Sequence, residues 1–189
     1  MSTRPPVRDR LLDAADALFF QAGAIATPVD KVLAQAGASP SSLYAHFGNK
    51  DGLLAAALER RLEVWTQVWD RALAQADTPQ ERLMSIFPAL RTYQGEHMTE
   101  RWCAFSGTAA TVPTQPPRIA DILQRETQML RERFLTFASE VTLDRPEALA
   151  RAMMITYTGT TAMMLRVPWS EAIHDGEMTA RTLIAAHQG

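Results

Sequence analysis

Two short helices that follow each other almost without a linker constrain this chain more than any other feature of its sequence. The first is predicted from about 28 to 36, with Thr27 as its N-cap and a proline at the first helical position. Gly37 ends this helix, and Ser39-Pro40 repeats the cap-plus-proline signal for a second helix of about two turns. Because helices joined by so tight a turn must cross steeply, we predict a compact helical head in this region.

The second of these helices has one apolar side and one side of small hydrogen-bonding groups. Leu43 and Phe47 are four residues apart and can face inward. The side chains left on or near the open side are Pro40, Ser41, Ser42, Tyr44, Ala45 and His46. A helix-turn-helix uses this geometry to place its second helix in the major groove of DNA. The pattern therefore indicates a DNA-reading helix.

A third helix is predicted to begin directly afterwards, with Asn49 as its cap and Lys50 in its first turn. The N-terminus of a helix carries partial positive charge and favours an acid over a lysine. A cation is better placed there if a phosphate group lies between it and the backbone amides. A solvated surface lysine is the alternative. The only two lysines of the sequence, Lys31 and Lys50, both lie in this region.

Many residues of this region stand at the spacings of a known signature. They are Leu18-Phe19, Gly23, Thr27, Val32, Ala36-Gly37, Ser39, Leu43-Tyr44, His46-Phe47, Lys50 and Leu53-Leu54. On these residues the chain resembles the TetR family of regulators, over roughly residues 8 to 55. The resemblance implies an all-helical homodimer with an N-terminal three-helix DNA-binding domain and a C-terminal ligand-sensing and dimerising domain.

The resemblance also implies particular contacts to DNA. Phosphate contacts are expected from Thr27, Ser42, Tyr44 and Lys50. Base-edge contacts are expected from Pro40, Ser41 and Tyr44 or His46. Pro40, Ser41 and Ile25 depart from the residues that are frequent in the family, so the operator sequence does not follow from the resemblance.

Strand-like alternation is absent throughout, and the sequence predicts an all-α protein of about nine helices. We place the helix-turn-helix domain at 1–50 and the ligand-sensing and dimerisation domain at 51–189. The helix capped by Asn49 continues to about residue 75 and carries Trp65 and Trp69 in its last turns. We expect it to connect the two regions.

Composition restricts the class of protein. The net charge of the 189 residues is -2, and residues 1–61 carry 7 lysines and arginines against 6 acids, so charge alone is weak support for a nucleic-acid partner. The single cysteine, Cys103, excludes an internal disulfide and is typical of a reducing cytosol. No apolar run is long enough to span a membrane. We expect a cytoplasmic protein.

The family resemblance places several aromatic and methionine side chains around one cavity for a small effector. They are Trp65, Trp69, Met84, Phe87, Tyr93, Trp102, Phe105 and Met129. Such residues at helical spacing are more often plain core, and that alternative stays open for each of them. Because only Arg91, Arg101 and His97 are charge-capable groups nearby in this interpretation, we expect a mostly apolar effector.

The helix predicted after Pro146 is apolar or small almost all round between residues 153 and 164. Such a helix must be covered on more than one side, by its own domain or by a partner chain. By position it belongs to the dimer-forming pair of the family, so we predict a homodimer through residues 146–186.

No constellation for catalysis, a metal or a cofactor stands out. Cys103 and His97 are six residues apart with no third orienting group, and the four histidines lack paired metal-ligand spacing. We therefore predict a non-enzyme without cofactors. The favoured function is a ligand-responsive regulator, a repressor that binds a palindromic operator as a homodimer and is released by the effector. The alternative is a dimeric helical binding protein without specific DNA readout.

Overall fold

The structure is a computed structural model that describes residues 5–24, 26–96, 103–112 and 114–188. These residues form ten helices and no strand, which confirms the all-α prediction. The helices are α1 (Val7–Ala22), α2 (Val29–Ala36), α3 (Pro40–Phe47), α4 (Lys50–Leu73), α5 (Pro79–Met84), α6 (Ile86–Glu96), α7 (Ala104–Thr111), α8 (Pro117–Val141), α9 (Pro146–Met163) and α10 (Trp169–Gln188). None of the helices in these ranges is long and apolar enough to cross a membrane.

The chain divides into two compact units, and neither is a continuous stretch of sequence. The first comprises Met1–Leu62 and Ala104–Gln124, and the second comprises Glu63–Cys103 and Arg125–Gly189. The helix α4 therefore contributes its first half to one unit and its second half to the other. The helix α8 is also divided, with residues 117–124 in the first unit and residues 125–141 in the second.

The first unit is built on the apolar face of α1. Buried side chains of α1 and of the next three helices form its core: Leu11, Leu12, Ala15, Phe19, Val32, Leu33, Leu43, Leu53, Leu54 and Leu58. Two ion pairs join α4 to α1 at the edge of this core. Arg60 Nη1 lies 2.7 Å from Asp13 Oδ1, and Arg61 Nε lies 2.7 Å from Asp16 Oδ1. Because Arg61 is 5% exposed, its pair with Asp16 is largely shielded from water.

The start of α2 differs from the sequence prediction. Pro28 is its N-cap residue, and no side chain caps the helix. The Thr27 hydroxyl instead donates to the Gly23 carbonyl oxygen at 2.8 Å, and the residue is 3% exposed. Thr27 therefore closes the turn between α1 and α2 and does not satisfy the free amides of α2. Its expected role as an N-cap is wrong.

A break at Ser85 separates α5 from α6. The capping box is present: Glu81 N–H donates to Thr78 Oγ1 at 3.2 Å, and the Thr78 N–H donates to Glu81 Oε2 at 2.9 Å. The helix stops at Met84 and restarts at Ile86. Pro88 explains the interruption, because proline has no N–H for the carbonyl four residues earlier and its ring crowds that carbonyl. The split raises the number of helices from the expected nine or so to ten.

The second unit has a large aromatic and aliphatic core. Fully buried members include Trp69, Phe87, Phe134, Leu149, Met153 and Ile173. The Trp69 indole Nε1–H donates to Ser85 Oγ at 2.9 Å, which anchors α4 to the break between α5 and α6. A Cβ at Gly176 would lie 2.0 Å from Thr160 Oγ1. Glycine at this position therefore allows α9 and α10 to cross closely.

Candidate functional sites

The turn between α2 and α3 is fixed by local hydrogen bonds and by one arginine. Gly37 has φ 56° and ψ 46°, and its N–H donates back to the Ala34 carbonyl oxygen. This left-handed conformation strongly favours glycine. Arg10 Nε donates to the Ala36 carbonyl oxygen at 2.8 Å, and Nη2 donates to that of Gly37 at 3.1 Å. Arg10 of α1 thus satisfies carbonyls at the end of α2, a contact that the sequence prediction missed.

The predicted cap of α3 is confirmed. Ser39 has extended backbone angles, and its Oγ accepts the Ser42 N–H at 3.2 Å, with Pro40 at the first helical position. The Ser39 hydroxyl also forms hydrogen bonds with the Ser41 and Ser42 hydroxyls, at 2.8 and 2.9 Å. Three hydroxyl groups therefore form one connected cluster at the N-terminus of α3.

The burial pattern of α3 agrees with the predicted open side. Leu43 is 2% exposed, whereas Tyr44 is 63% exposed. We call the solvent-exposed side of α3 the recognition face; it consists of Pro40, Ser41, Ser42, Tyr44, Ala45 and His46, of which Ser42 is half-buried and the others are exposed. At about 100° per residue, Ser41 and Ala45 lie at its centre, with Ser42 and Tyr44 on either side. Sequence reasoning gave Ala45 no role.

The start of α4 lies close to the end of α3. Asn49 Oδ1 accepts the Gly52 N–H at 2.8 Å, so the predicted cap is confirmed. A Cβ at Gly52 would lie only 1.9 Å from the Phe47 carbonyl oxygen. The absence of a side chain at Gly52 is therefore what allows α3 and α4 to approach this closely.

Lys50 and Arg8 are cations of the first unit that each lie over an aromatic ring. Lys50 is half-buried, and its Nζ lies 5.9 Å from the centroid of the Phe19 ring. This cation–π contact gives the ammonium group an aromatic partner within the chain, which the sequence alone did not indicate. The Arg8 guanidinium carbon lies 5.9 Å from the centroid of the Phe47 ring of α3. The Arg8 side chain is 57% exposed. It is a further cation, which the sequence prediction did not include.

The predicted effector-site residues separate into groups. Trp65, Trp69, Met84, Phe87 and Tyr93 are all buried in the core of the second unit, and Met129 packs against it. Phe105 is buried in α7, a helix of the first unit. Trp102 lies outside the described residues, as do Arg101 and His97. The structure thus brings together six of the eight side chains.

The two tryptophans of α4 have different surroundings. Trp69 has a hydrogen-bond partner in Ser85, and Phe134, Phe137 and the Arg133 guanidinium surround its ring. Trp65 contacts aromatic rings instead. Its ring centroid lies 5.3 Å from that of Tyr93 and 6.0 Å from that of Tyr157, nearly parallel to the latter at 18°. The Trp65 Nε1 atom is buried, and no hydrogen-bond acceptor for it is found in the part of the chain that the structure describes.

Glu126 is a buried carboxyl group that the sequence interpretation overlooked. It is 7% exposed, and desolvation raises its pKa to about 7, although the Thr127 hydroxyl lowers it. A signal for it was present in the sequence. In α8 the buried positions Ile122 and Leu130 lie four residues on either side of Glu126, which places the acid on the apolar face of the helix.

Arg91, a charge-capable residue expected near the effector, forms an ion pair with Glu177. Its Nη2 donates to Glu177 Oε2, and Arg181 Nη2 donates to Glu177 Oε1 at 2.7 Å. Burial opposes ionisation of Glu177, but these hydrogen bonds and positive charges outweigh it and lower the pKa of that carboxyl group. The three side chains help to line a surface groove of about 570 Å³ that also includes Met84.

These elements define an all-helical protein with an N-terminal helix-turn-helix. The family model for bacterial regulatory proteins of the tetR family matches residues 11–57. The transcriptional regulator BetI of Brucella canis is 35% identical over 82 residues, which cover 43% of this chain and 41% of that protein. The transcriptional repressor ComR of Escherichia coli is 30% identical over 129 residues, 67% of this chain and 61% of ComR. The aligned segments thus span less than two thirds of either relative.

Solved structures match almost the whole chain. A TetR-family transcriptional regulator from Streptomyces coelicolor, SCO4454, superposes with a TM-score of 0.88 over 97% of this chain and 96% of its own, at 18% identity. A putative regulator from Streptomyces avermitilis has a TM-score of 0.76 and 25% identity, over 97% of this chain and 98% of its own. The chain belongs to the TetR family. The relatives are regulators and not enzymes.

Proposed function

We propose that this protein is a transcriptional repressor that binds a palindromic DNA operator as a homodimer and releases it when a small effector binds. The recognition face of α3 is the observation that carries this proposal. It is exposed and rich in hydroxyl groups, and it is held between a capped turn on one side and the close approach of α4 on the other. Its relative ComR is named a repressor, which favours repression over activation.

The side chains of the recognition face have the chemistry that DNA contacts require. The Ser41 hydroxyl can serve as donor or acceptor at a base edge, and the Ala45 methyl can pack against the methyl group of thymine. We propose that Ser42 and Tyr44 of this face contact phosphate together with Lys50 and Arg8. Pro40 and His46 are the first and last residues of the face. Thr27 is not among the proposed phosphate contacts, because its hydroxyl is buried and donates to Gly23.

An exposed uncharged stripe on α9 supports the proposed homodimer. Its members are Ile155, Thr158, Gly159, Ala162 and Met163, all exposed in the single chain, and Ile155 is 72% exposed. A Cβ at Gly159 would meet no atom within 4 Å, so the single chain gives no reason for glycine in the middle of this helix. Glycine lowers helix stability by roughly 0.5–1 kcal/mol relative to alanine. The close approach of a partner helix would account for it.

The helix α10 also has exposed uncharged side chains. Met178 is 51% exposed, and Thr182 and Ala185 lie one and two turns further along the helix. Since α9 and α10 cross closely at Thr160 and Gly176, the two faces belong to one packed pair. We propose that the pair packs against its copy in a second chain, and that the dimer is a cytoplasmic protein.

The proposed effector site lies in the second unit, around Trp65. The helix that carries Trp65 begins at Lys50 in the first unit, so one element belongs to both the effector side and the DNA side. An effector shifts the DNA equilibrium only by its difference in affinity for the two states of the protein. Coupling of about 1–3 kcal/mol is typical of such switches.

Selection of binding sites from random DNA duplexes tests the proposed function. We expect enrichment of an inverted repeat whose half-sites lie about one helical turn, or a small multiple of it, apart. The selected duplex should bind at least ~10³-fold more tightly than an unrelated duplex at the same salt concentration. Failure to enrich any sequence, with a folded dimeric protein, would instead support a helical binding protein without specific DNA readout.

A further inference from the structure

A buried acid lies near the buried side chain of Tyr157 in the second unit, and the DNA-binding function does not use it. Glu126 is 7% exposed, and the hydrogen bond recorded for its carboxylate is a long one of 3.4 Å from the neighbouring Thr127 hydroxyl. Burying a carboxylate is costly unless a hydrogen bond or an opposite charge compensates it. The Thr127 contact is too weak to provide that compensation alone.

Tyr157 of α9 connects Glu126 with Trp65. Tyr157 is buried, and the burial together with the nearby groups Cys103, Glu126 and Tyr93 raises the pKa of its hydroxyl. The aromatic ring of Tyr157 is stacked on that of Trp65, with 6.0 Å between the centroids. The carboxyl group and three aromatic side chains therefore belong to one neighbourhood, which we call the Trp65 cluster: Trp65, Tyr93, Glu126 and Tyr157.

The indole of Trp65 independently indicates a ligand. The side chain is 3% exposed, and its Nε1–H has no acceptor among the described residues. A buried donor without an acceptor is costly, because it has lost its hydrogen bond to water. A ligand that reaches into the cluster with a polar group would remove this cost. The same indole and the phenol of Tyr157 offer π faces, which attract positive charge.

We propose that the effector of this protein carries a positively charged nitrogen on a mostly apolar body, and that the Glu126 carboxylate and the π faces of Trp65 and Tyr157 recognise this charge. The inference rests on the proposed effector site and adds the chemical class of its ligand. The sequence predicted a mostly apolar effector. The inference keeps the apolar body and adds a positive charge, because a buried acid in an aromatic cluster favours a cation over a neutral molecule. Binding of the cation would keep Glu126 ionised and give the carboxylate an opposite charge.

Two pairs of probe molecules of nearly equal shape test the charge preference. Benzyltrimethylammonium is paired with neopentylbenzene, and benzylammonium with ethylbenzene, so that each pair differs in charge at one heavy atom. Binding to the full-length protein is measured by calorimetry and by tryptophan fluorescence. We expect at least one cation to bind at least ~10-fold more tightly than its neutral counterpart, as an interaction of about 1.4 kcal/mol requires.

The variant Glu126→Gln identifies the group responsible. It should weaken binding of the cation at least ~10-fold and leave the neutral molecule unchanged. Glu132→Gln is the matched control, because Glu132 is exposed on the same helix and forms a hydrogen bond with Gln128. Tyr157→Phe, which keeps the ring, should retain most of the charge preference. Thermal unfolding and circular dichroism establish that each variant is folded.

Three outcomes would overturn the inference: equal or tighter binding of the neutral members, no loss of cation affinity in Glu126→Gln, or no binding of either cation at about millimolar concentration. None of these measurements involves DNA. Selective DNA binding without a charge preference would therefore reject the ligand class and leave the regulator intact. A cation preference without selective DNA binding would support the ligand class and reject the regulator.

Discussion

Lys50 occupies the first position of α4, where two kinds of partner are available to its ammonium group. Within the chain, the Nζ lies over the Phe19 ring at 5.9 Å from the centroid. Toward solvent, the side chain is only half-buried and follows the exposed end of α3. A phosphate at the N-terminus of α4 would add a charge contact to the packing contact, and the two contributions can be separated by substitution.

The variant Lys50→Met removes the charge but keeps an unbranched apolar side chain against Phe19. We expect it to weaken binding to all duplexes by a similar factor and to reduce the slope of log affinity against log salt by about one, as loss of one phosphate contact requires. Arg71→Met is the control, because it makes the same change of net charge on the exposed part of α4 in the second unit. A changed sequence preference with an unchanged salt slope would show that Lys50 does not contact phosphate.

Glu126 makes folding stability depend on pH. Burial raises the pKa of Glu126 from its usual value of 4.5 to about 7. Between these values the folded chain keeps a proton that the unfolded chain has lost, so the free energy of unfolding falls as pH rises. The loss is complete above about pH 7 and amounts to roughly 3 kcal/mol. The titratable group that interacts with Glu126 is Tyr157, and tyrosine side chains ionise at higher pH.

Urea unfolding between about pH 5 and pH 7.5 measures this contribution. We expect Glu126→Gln to lose less stability than the wild-type protein across that range, because glutamine does not titrate. Parallel curves for the two proteins would mean that Glu126 has an ordinary pKa in the folded state.

At the scale of helices, the close approach of α4 to α3 is set by Gly52. Alanine there would place a Cβ 1.9 Å from the Phe47 carbonyl oxygen, and a backbone atom cannot yield as a flexible side chain does. We expect Gly52→Ala to lower the free energy of unfolding by about 1–3 kcal/mol and to weaken DNA binding, because α3 must move.

Gly95→Ala provides the comparison, since a Cβ at that position of α6 meets no atom within 4 Å. It should be neutral or stabilising by roughly 0.5–1 kcal/mol. Equal effects of the two substitutions, measured by chemical unfolding, would show that the contact at Gly52 does not constrain the helices.

The sequence predicted those features of these helices that depend on neighbours three or four residues away. The caps at Ser39 and Asn49 join such neighbours, and each was found in the structure. The contact of Arg10 with Ala36 spans 26 residues, so no local pattern indicates it. Thr27 resembled a cap in sequence, but the turn after α1 offered its hydroxyl a closer acceptor.

The same difference between local and long-range contacts applies to the predicted sites. The amphipathic pattern of α3 was sufficient to find its exposed face, because Leu43 and Phe47 mark the opposite side. In α8 the pattern included Glu126 but did not show what surrounds it. That Glu126 lies near Tyr157 of α9, 31 residues later in the sequence, follows only from packing in three dimensions.

For the whole molecule, the arrangement of α9 and α10 changes how dimerisation is best tested. From sequence, arginine at residue 160 or at residue 162 would be expected to separate the dimer. In the structure Thr160 is 4% exposed and faces Gly176 across the pair, so a large side chain there would disrupt the protomer itself. Ala162 is exposed on the uncharged stripe and is the suitable position.

We expect Ala162→Arg to lower the mass in solution from twice 21.0 kDa to 21.0 kDa, measured by light scattering. Loss of simultaneous contact with two half-sites should weaken operator binding by a factor of about 10²–10⁴. The control is Thr136→Arg, which introduces the same side chain at an exposed position of α8. A dimeric Ala162→Arg variant, or a monomeric wild-type protein at micromolar concentration, would place any subunit contact elsewhere.

The discontinuous make-up of the first unit has a consequence for how the chain is synthesised. Its second segment, Ala104–Gln124, is translated only after residues 63–103, which belong to the other unit. The DNA-binding part therefore lacks α7 and the first turns of α8 until about two thirds of the chain has left the ribosome. A nascent chain that ends soon after Leu62 contains every proposed DNA contact, yet it lacks part of the unit that holds them in place.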